Sequence, residues 1–442
     1  SPYERGKFHA SMKTQEGLCG EGNVARSGFI GLKGDQEDDV RRSFYWLFEA
    51  QRDSENAPVI LTHGGGPGTS GLMNPLLGQS HCKMLANGSL VSNPNTWAEK
   101  YNLLALDHPI GAGFSVGFPP NSAKTSAVDV YDFLQKFYVF YPQFIKNKLI
   151  IATGSYGGMY TPHIATYIHK NNLAITAGKG EPGAMHINLE ALMVSNPISD
   201  SLSHYRWLSH GRCYNPIFNL YNETTCEVVH ANLPACLDAV QYALDFPSAE
   251  ERVKAIRKCR EGHPEDLNGR MLENVKIECD GSLEGCAPEV GAIGNYLNQE
   301  ETKAMLGVPL DAKWEAVNKL VWQRFFDEGD MIQRAHLLYG PLVSSGIRLL
   351  HYVGYLDENC GWQGIFNFLK YIQTPYRETF INSTDVQWHP NATVRAVGDP
   401  GFNGAGNFTW ILMSEAGHLV VRDQPELVKS ILETWVDDKA WI

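Results

Sequence analysis

This chain predicts an α/β fold: a mostly parallel central sheet flanked by helices, with an inserted, mainly helical and disulfide-bonded cap. Three observations carry that expectation. Residues 58–62, 102–106 and 149–152 are short, nearly unbroken apolar runs, the pattern of strands buried on both faces of a parallel sheet. Stretches with apolar residues at helical spacing alternate with them, notably 126–141 (SAVDVYDFLQKFYVFY) and 160–170. From Ile198 the strand pattern vanishes until Arg348 while cysteine, charge and helical period rise, so a cap is expected at 198–335 between core parts at 1–197 and 336–442.

In chain order, residues 1–27 are polar and irregular and read as a surface arm. Residues 28–32 and 43–50 alternate apolar and polar, as antiparallel edge strands do, across the acidic loop GDQEDDVRR. The runs at 58–62 and 102–106 are inner strands. The second leads into LDHPIGAGFS, where His108, next to Pro109, reads as structural. Helix 126–141 covers one sheet face, its aromatics serving as core. Residues 187–196 form the next strand and end in SNP; after the cap the core resumes with two strands and a closing helix at 425–437. There is no internal repeat and no low-complexity tract.

The chemistry concentrates at strand ends. In residues 148–162, KLIIATGSYGGMYTP, the apolar run stops at small residues around Ser155 and the pattern then turns helical. A strand, sharp turn and helix of this kind lifts a serine above the sheet edge and aims backbone N–H groups at whatever the serine attacks. Taken alone, a serine among glycines is more often an ordinary tight turn. Three other segments add weight. After the run at 58–62, HGGGPGTSG packs glycines so that the backbone can approach a ligand and turn its N–H groups inward, as an oxyanion hole needs, although a flexible turn would read alike. RLLHYVGYLDENCGWQG (348–364) delivers Asp357 at a strand end, a place where Asp is commonly a cap or turn former. TWILMSEAGHLVVRDQP (409–425) ends its strand in Ala-Gly-His418, and a lone histidine there is commonly structural. Yet Ser155, Asp357 and His418 follow in the order serine, acid, histidine, each just past a strand, as an α/β-hydrolase requires. In such a triad a neutral imidazole takes the serine's proton, while the acid fixes its tautomer and stabilises the imidazolium. The product of attack is an acyl-enzyme, and the triad does not specify what deacylates it.

TGSYGGMYTP resembles the GESYAGxYxP element of the serine carboxypeptidase family, GGGPGTS its NGGPGCS, LDHPIGAGFS its LDQPxGxGFS, and AGHLVVRDQP its AGHMVPxDQP. The resemblance runs from about residue 28 to the C-terminus. It implies an α/β-hydrolase fold with a helical cap in a secreted or vacuolar, glycosylated, disulfide-bonded protein. It also implies a triad of Ser155, His418 and Asp357, with the oxyanion held by the N–H groups of Gly66 and Tyr156. No cofactor is expected. One departure lies in the elbow itself, where Thr153 stands at a position that is usually glycine.

With 442 residues, 43% hydrophobic and 19% charged, the chain can bury a large core. Its formal net charge of −12 argues against nucleic acid or an anionic membrane as partner, since both would be repelled. No run approaches the roughly 18 apolar residues of a membrane span. The chain begins at Ser1 without a methionine and reads as processed. Of nine cysteines six lie between Cys213 and Cys286, and no CxxC pair has zinc-finger spacing, so no metal site is expected. Nearest-neighbour pairing joins Cys213 to Cys226, Cys236 to Cys259 and Cys279 to Cys286, the last two spacings resembling the family's cap. Cys19 and Cys82 are left for each other, a pairing that no signal requires. Cys360, three residues after Asp357, is the odd cysteine and is expected as a free thiol beside the pocket. Sequons at Asn87, Asn222, Asn382, Asn391 and Asn407 fit a secretory history in which disulfides form.

The chain departs from the family it resembles where a carboxypeptidase grips the substrate's free carboxylate. The family uses the Asn that opens NGGPG, the Glu of GES, and a Glu ten residues beyond the last Gly of NGGPG. Here those positions read Gly64, Gly154 and, on a gapless count from Gly68, Gly78. A hydrogen bond to a charged group contributes roughly 1.5 to 3 kcal/mol, so losing two lowers selectivity for a carboxylate about a hundredfold or more. His63 or an arginine of the cap could compensate. The expected pocket therefore includes His63, Gly64, Gly65, Gly78, Gly154 and Cys360. Acyl transfer, or ester or amide cleavage, on a small molecule is the leading expectation. A carboxypeptidase acting on peptides through a rebuilt carboxylate site is the second, and a catalytically silent binding protein, disfavoured by an intact triad, is the third. Loss of the glutamate pair also predicts an acid limb of activity governed by His418, near the imidazole's usual range of about 6 to 7 unless burial shifts it.

Overall fold

The computed structural model describes residues 1–264 and 267–442. Eleven strands form one mixed sheet: β1 (Lys13–Glu16), β2 (Val24–Gly31), β3 (Arg42–Phe48), β4 (Val59–His63), β5 (Asn102–Leu106), β6 (Leu149–Gly154), β7 (Leu189–Ser195), β8 (Arg348–Gly354), β9 (Val386–His389), β10 (Ala392–Val397) and β11 (Phe408–Met413). Their order is β1-β2-β3-β5-β4-β6-β7-β8-β11-β10-β9. β5, β4 and β6 run parallel, as do β8 and β11, whereas the pairs toward each edge are antiparallel. β4, β5, β6 and β8 are buried along their whole length, which is why their sequences read as continuous apolar runs rather than alternating ones.

The chain divides into two compact units, residues 1–153, 163–192 and 288–322 in the first and residues 154–162, 193–287 and 323–442 in the second. In the first, helix α1 (Ala123–Phe140) starts where Ser122 Oγ accepts a hydrogen bond from the Thr125 N–H. Its apolar stripe, including Phe133 and Phe137, packs on Tyr45 of β3. Helix α2 (Gly157–Thr176) follows the serine turn. In the second unit α3 (Ser201–Cys213), α4 (Glu223–Asp245) and α5 (Ala249–Arg260) are capped by Asp200, Asn222 and Ser248. They bury Tyr205, Val240, Ala243, Ala255 and Ile256 in a common cluster. Disulfides Cys213–Cys226 and Cys236–Cys259 tie α3 to α4 and α4 to α5; Cys279–Cys286 and Cys19–Cys82 complete the four, and Cys360 is free and buried. Helices α6 (Trp362–Leu369) and α7 (Pro425–Val436) flank the last strands.

Three expectations are corrected at the sheet's edges and in the inserted stretch. The N-terminal arm is not irregular: β1 and β2 pair within it, so β2 starts at Val24 rather than residue 28. Arg270–Met271 and Asn274–Glu278 form a hairpin inside the stretch where no strand is expected. After Arg348 there are four strands rather than two, because residues 386–397 form a half-exposed hairpin at the sheet's edge whose polar residues hide its strand period. Among the described residues no helix is long and apolar enough to cross a membrane.

Candidate active site

β6 ends at Gly154 and α2 begins at Gly157, so the chain must reverse within Ser155 and Tyr156. Ser155 achieves this at φ +60°, a left-handed conformation uncommon for a residue with a side chain. The turn is held from both sides. The Ser155 N–H donates to Ser195 O, and Ser155 O accepts from the N–H groups of Gly158 and Ile198, each at 3.0 Å. Thr153 stays buried within the strand, so the sharp turn forms without a glycine there. The Tyr156 N–H stands at the start of α2, where the first N–H groups of a helix lack intrahelical partners. Its phenol donates to Asp330 Oδ2 at 2.7 Å, and its ring packs against Tyr160 and Phe325.

The acid and the histidine belong to the same unit. Asp357 is fully buried past β8, and His418 lies past β11 with one-tenth of its side chain exposed. Asp357 Oδ2 accepts from His418 Nδ1 at 2.6 Å and from Asn196 Nδ2 at 2.7 Å, and Oδ1 accepts from the N–H groups of Asn359 and Cys360. Four donors thus hold one carboxylate. Asn196 is a site residue that sequence reading placed only as the end of a strand, in SNP. It sits at φ +41° just past β7, and its Oδ1 also accepts from the Gly354 N–H. Burial works to lower the His418 pKa, but the Asp357 carboxylate bonded to its ring and the neighbouring Cys360 sulfur hold it well above the ordinary imidazole value. The Ser155 hydroxyl is not hydrogen-bonded to that ring among the described residues; such contacts commonly tighten only with substrate in place.

Cys360 Sγ lies within 4.8 Å of the facing His418 and Asp357 atoms. Burial raises its pKa, so the thiol stays protonated and is poorly suited to bind a metal. The group Cys279, Asp280 and Cys286 has no thiolate to offer, its cysteines being joined. Two acids border the site. Glu358 is buried, its pKa pushed up to about 7 by burial against the pull of Arg212 and of a 2.9 Å bond from Asn215 Nδ2. Glu273, half-buried, is raised in the same direction by burial. Gly154, the position of the family's GES glutamate, faces Ser195: a Cβ there would stand 2.5 Å from Ser195 Oγ and 3.0 Å from Ser195 O, so the hydroxyl would have to turn aside.

The other expected pocket residues lie in the first unit. Gly64 follows β4, and a Cβ on it would meet Thr69 O at 2.0 Å. Gly65 O accepts from the Thr69 N–H, closing the glycine turn on itself. Gly66 is exposed at φ +104°. His63 is buried against His108, its pKa lowered by burial to about 4, so it is a neutral imidazole. Gly78 is buried in the short helical turn Pro75–Gln79, its carbonyl accepting from Asn93 Nδ2. Of the five sequon asparagines, Asn87, Asn222 and Asn382 are exposed, whereas Asn391 and Asn407 are half-buried.

The family described as serine carboxypeptidase matches residues 21–438. The chain belongs to the serine carboxypeptidase family. Its hydrolase type is that of the family, and the α/β-hydrolase fold with its disulfides is common ground. Among its relatives, carboxypeptidase Y homolog A of Sclerotinia sclerotiorum is 29% identical over 93% of this chain and 72% of that protein. Carboxypeptidase Y of Komagataella phaffii is likewise 29% identical, over 93% of this chain and 75% of its own length. In fold the chain is similar to Kex1(Δ)p, a prohormone-processing carboxypeptidase from Saccharomyces cerevisiae, with a TM-score of 0.71 at 19% identity over 94% of this chain and 91% of that one.

Proposed function

We propose that this serine carboxypeptidase relative acts through an acyl-enzyme on Ser155, with His418 as general base, Asp357 as its orienting acid and the Tyr156 N–H donating to the oxyanion. We further infer that its preferred substrates are small-molecule esters or amides without a free carboxylate, cleaved or passed to an acceptor. The observation carrying the preference is steric. A Cβ on Gly64 would meet Thr69 O at 2.0 Å and one on Gly154 would meet Ser195 Oγ at 2.5 Å, so each position is fitted to glycine rather than to the family's carboxylate-binding side chain. Two candidates for compensation are engaged otherwise. His63 is kept neutral, and Arg212 is committed to Glu358 O and the Tyr221 hydroxyl at 3.0 Å each. The disulfides and exposed sequons favour a secreted or vacuolar protein. Carboxypeptidase action on peptides is the second reading, favoured by the relatives' printed names.

The test compares N-blocked dipeptides with a free C-terminus against their amides and esters, alongside fluorophosphonate labelling. We expect labelling that Ser155→Ala abolishes, and kcat/KM for the free acid at least about tenfold below that for the matched ester, given about 1.5 kcal/mol for one lost charged hydrogen bond. A clear preference for the free acid would return the protein to ordinary carboxypeptidase action. A Ser155→Ala protein that still labels and turns over would remove the triad.

A further inference from the structure

The hairpin that sequence reading missed touches both loops that carry the proposed acid and base. From its turn Leu272 O accepts from the Glu358 N–H at 3.1 Å, and from the start of its second strand the Val275 N–H donates to Leu356 O at 3.1 Å, so backbone bonds bracket Asp357 on either side. One residue away, Glu273 O accepts from the His418 N–H at 2.6 Å. A side-chain bridge repeats the connection, since Asp423 Oδ2 accepts from Asn274 Nδ2 at 2.9 Å and from the Gly417 N–H at 2.8 Å. Gly417 itself fits this arrangement: a Cβ on it would lie 2.1 Å from Glu273 O, so any larger residue would push the hairpin off the histidine loop. Val275 is buried in a cluster with Leu356, and Cys279, one residue beyond the second strand, is disulfide-bonded to Cys286.

We propose that the turn between the two hairpin strands is a clamp that holds the Asp357 and His418 loops in register, with Asn274 and Asp423 as its positioning residues. Neither residue is in hydrogen-bond contact with the Asp357 carboxylate or the His418 ring; each acts through the backbone beside them. Asp357 and His418 are joined through a single 2.6 Å bond between loops that follow different strands. The clamp links those loops a second time, at the backbone, so that neither can drift while the ring picks up and releases a proton. The inference rests on the triad reading of the proposed function.

The experiment combines steady-state kinetics with the low-field proton resonance of the His418 Nδ1–H bonded to Asp357, assigned by its absence in His418→Ala. Asn274→Ala and Asp423→Ala should each lower kcat about tenfold to a hundredfold with KM within about threefold, the signature of a displaced catalytic group rather than lost binding. The resonance should broaden or vanish in both. Asp423→Asn, whose amide oxygen can still accept both bonds, should recover most of the rate and the resonance relative to the alanine variant. Should Asn274→Ala fail to fold, Asn274→Ser, too short to reach Asp423, stands in and the same results decide. A wild-type kcat with an unchanged resonance, or a loss confined to KM, overturns the clamp. The resonance reports the His418–Asp357 bond whatever the nucleophile is, whereas failure of the triad reading shows separately, as a Ser155→Ala protein that still turns over.

Discussion

Asp357 shows how much one carboxylate demands of its surroundings. A buried charge is tolerable only when its lone pairs are satisfied, and here Asn196, His418 and two backbone N–H groups supply the donors. Asn196→Ala removes one charged hydrogen bond, roughly 1.5 to 3 kcal/mol if all of it were felt in the transition state. The expected result is a kcat lowered about tenfold to a hundredfold with the fold retained, read by steady-state kinetics beside circular dichroism. An unchanged kcat would mean that Asn196 only fastens β7 to Gly354. With His418 as the proposed general base, its ring would set the pH response. Because Asp357 holds its pKa above the ordinary imidazole value of about 6.5, the ring stays protonated, and useless as a base, to a higher pH than the sequence alone suggests. Activity should rise with pH along a limb whose midpoint lies above about 6.5. The check is kcat/KM against pH on a substrate with no ionisable group; an activity maximum near pH 4 to 5, well below about 6.5, would contradict it.

That the stretch holding α3 to α5 is mainly helical was legible from its rising helical period, whereas the bounds and polar caps of the three helices emerge only in the structure. Their mutual packing depends on cross-links as well as burial. Cys236–Cys259 closes a loop of 23 residues between α4 and α5, and restricting the unfolded chain over such a loop contributes about 3 kcal/mol. The double variant Cys236→Ala/Cys259→Ala should lose about that much stability, measured from urea unfolding at neutral pH. A loss below about 1 kcal/mol would show that the apolar cluster of Tyr205, Val240, Ala255 and Ile256 holds these helices without the bond. The hairpin at 270–278 was illegible for the opposite reason. Its first strand has only two residues, Arg270 and Met271, too few to show a period of two.

For the whole molecule the buried acids tie stability to pH. Glu358 titrates near 7 when folded, against about 4.3 for an unperturbed glutamate, so the folded state binds its proton more tightly than the unfolded chain does. The sign follows: its favourable contribution is complete below about pH 4 and is lost as pH rises through about 7, a change of about 3 kcal/mol. Glu358→Gln keeps an acceptor for Asn215 and removes the titration. Relative to wild type, the variant should gain about 3 kcal/mol in unfolding free energy on going from pH 4 to pH 8, and a difference that does not change with pH would show that Glu358 finds enough compensation when ionised.

What the sequence determined by itself was what local spacing controls: the buried strands, the amphipathic helices beside them, the serine turn, the order of Ser155, Asp357 and His418, and the neighbouring cysteine pairs. The carboxylate question was also legible as three glycines, but only as missing side chains. The tertiary structure decided what faces two of those glycines, since the Thr69 carbonyl comes up against Gly64 and the Ser195 hydroxyl against Gly154 only after the chain has folded back on itself. It likewise decided that Asn196 reaches Asp357 across 161 residues, that a hairpin turn meets the His418 loop, and that Glu358 is shut away from water. The reason is physical: periodicity reports which face of an element is apolar, whereas a hydrogen bond between distant loops depends on two elements arriving within about 3 Å of each other, and no spacing along the chain encodes that distance.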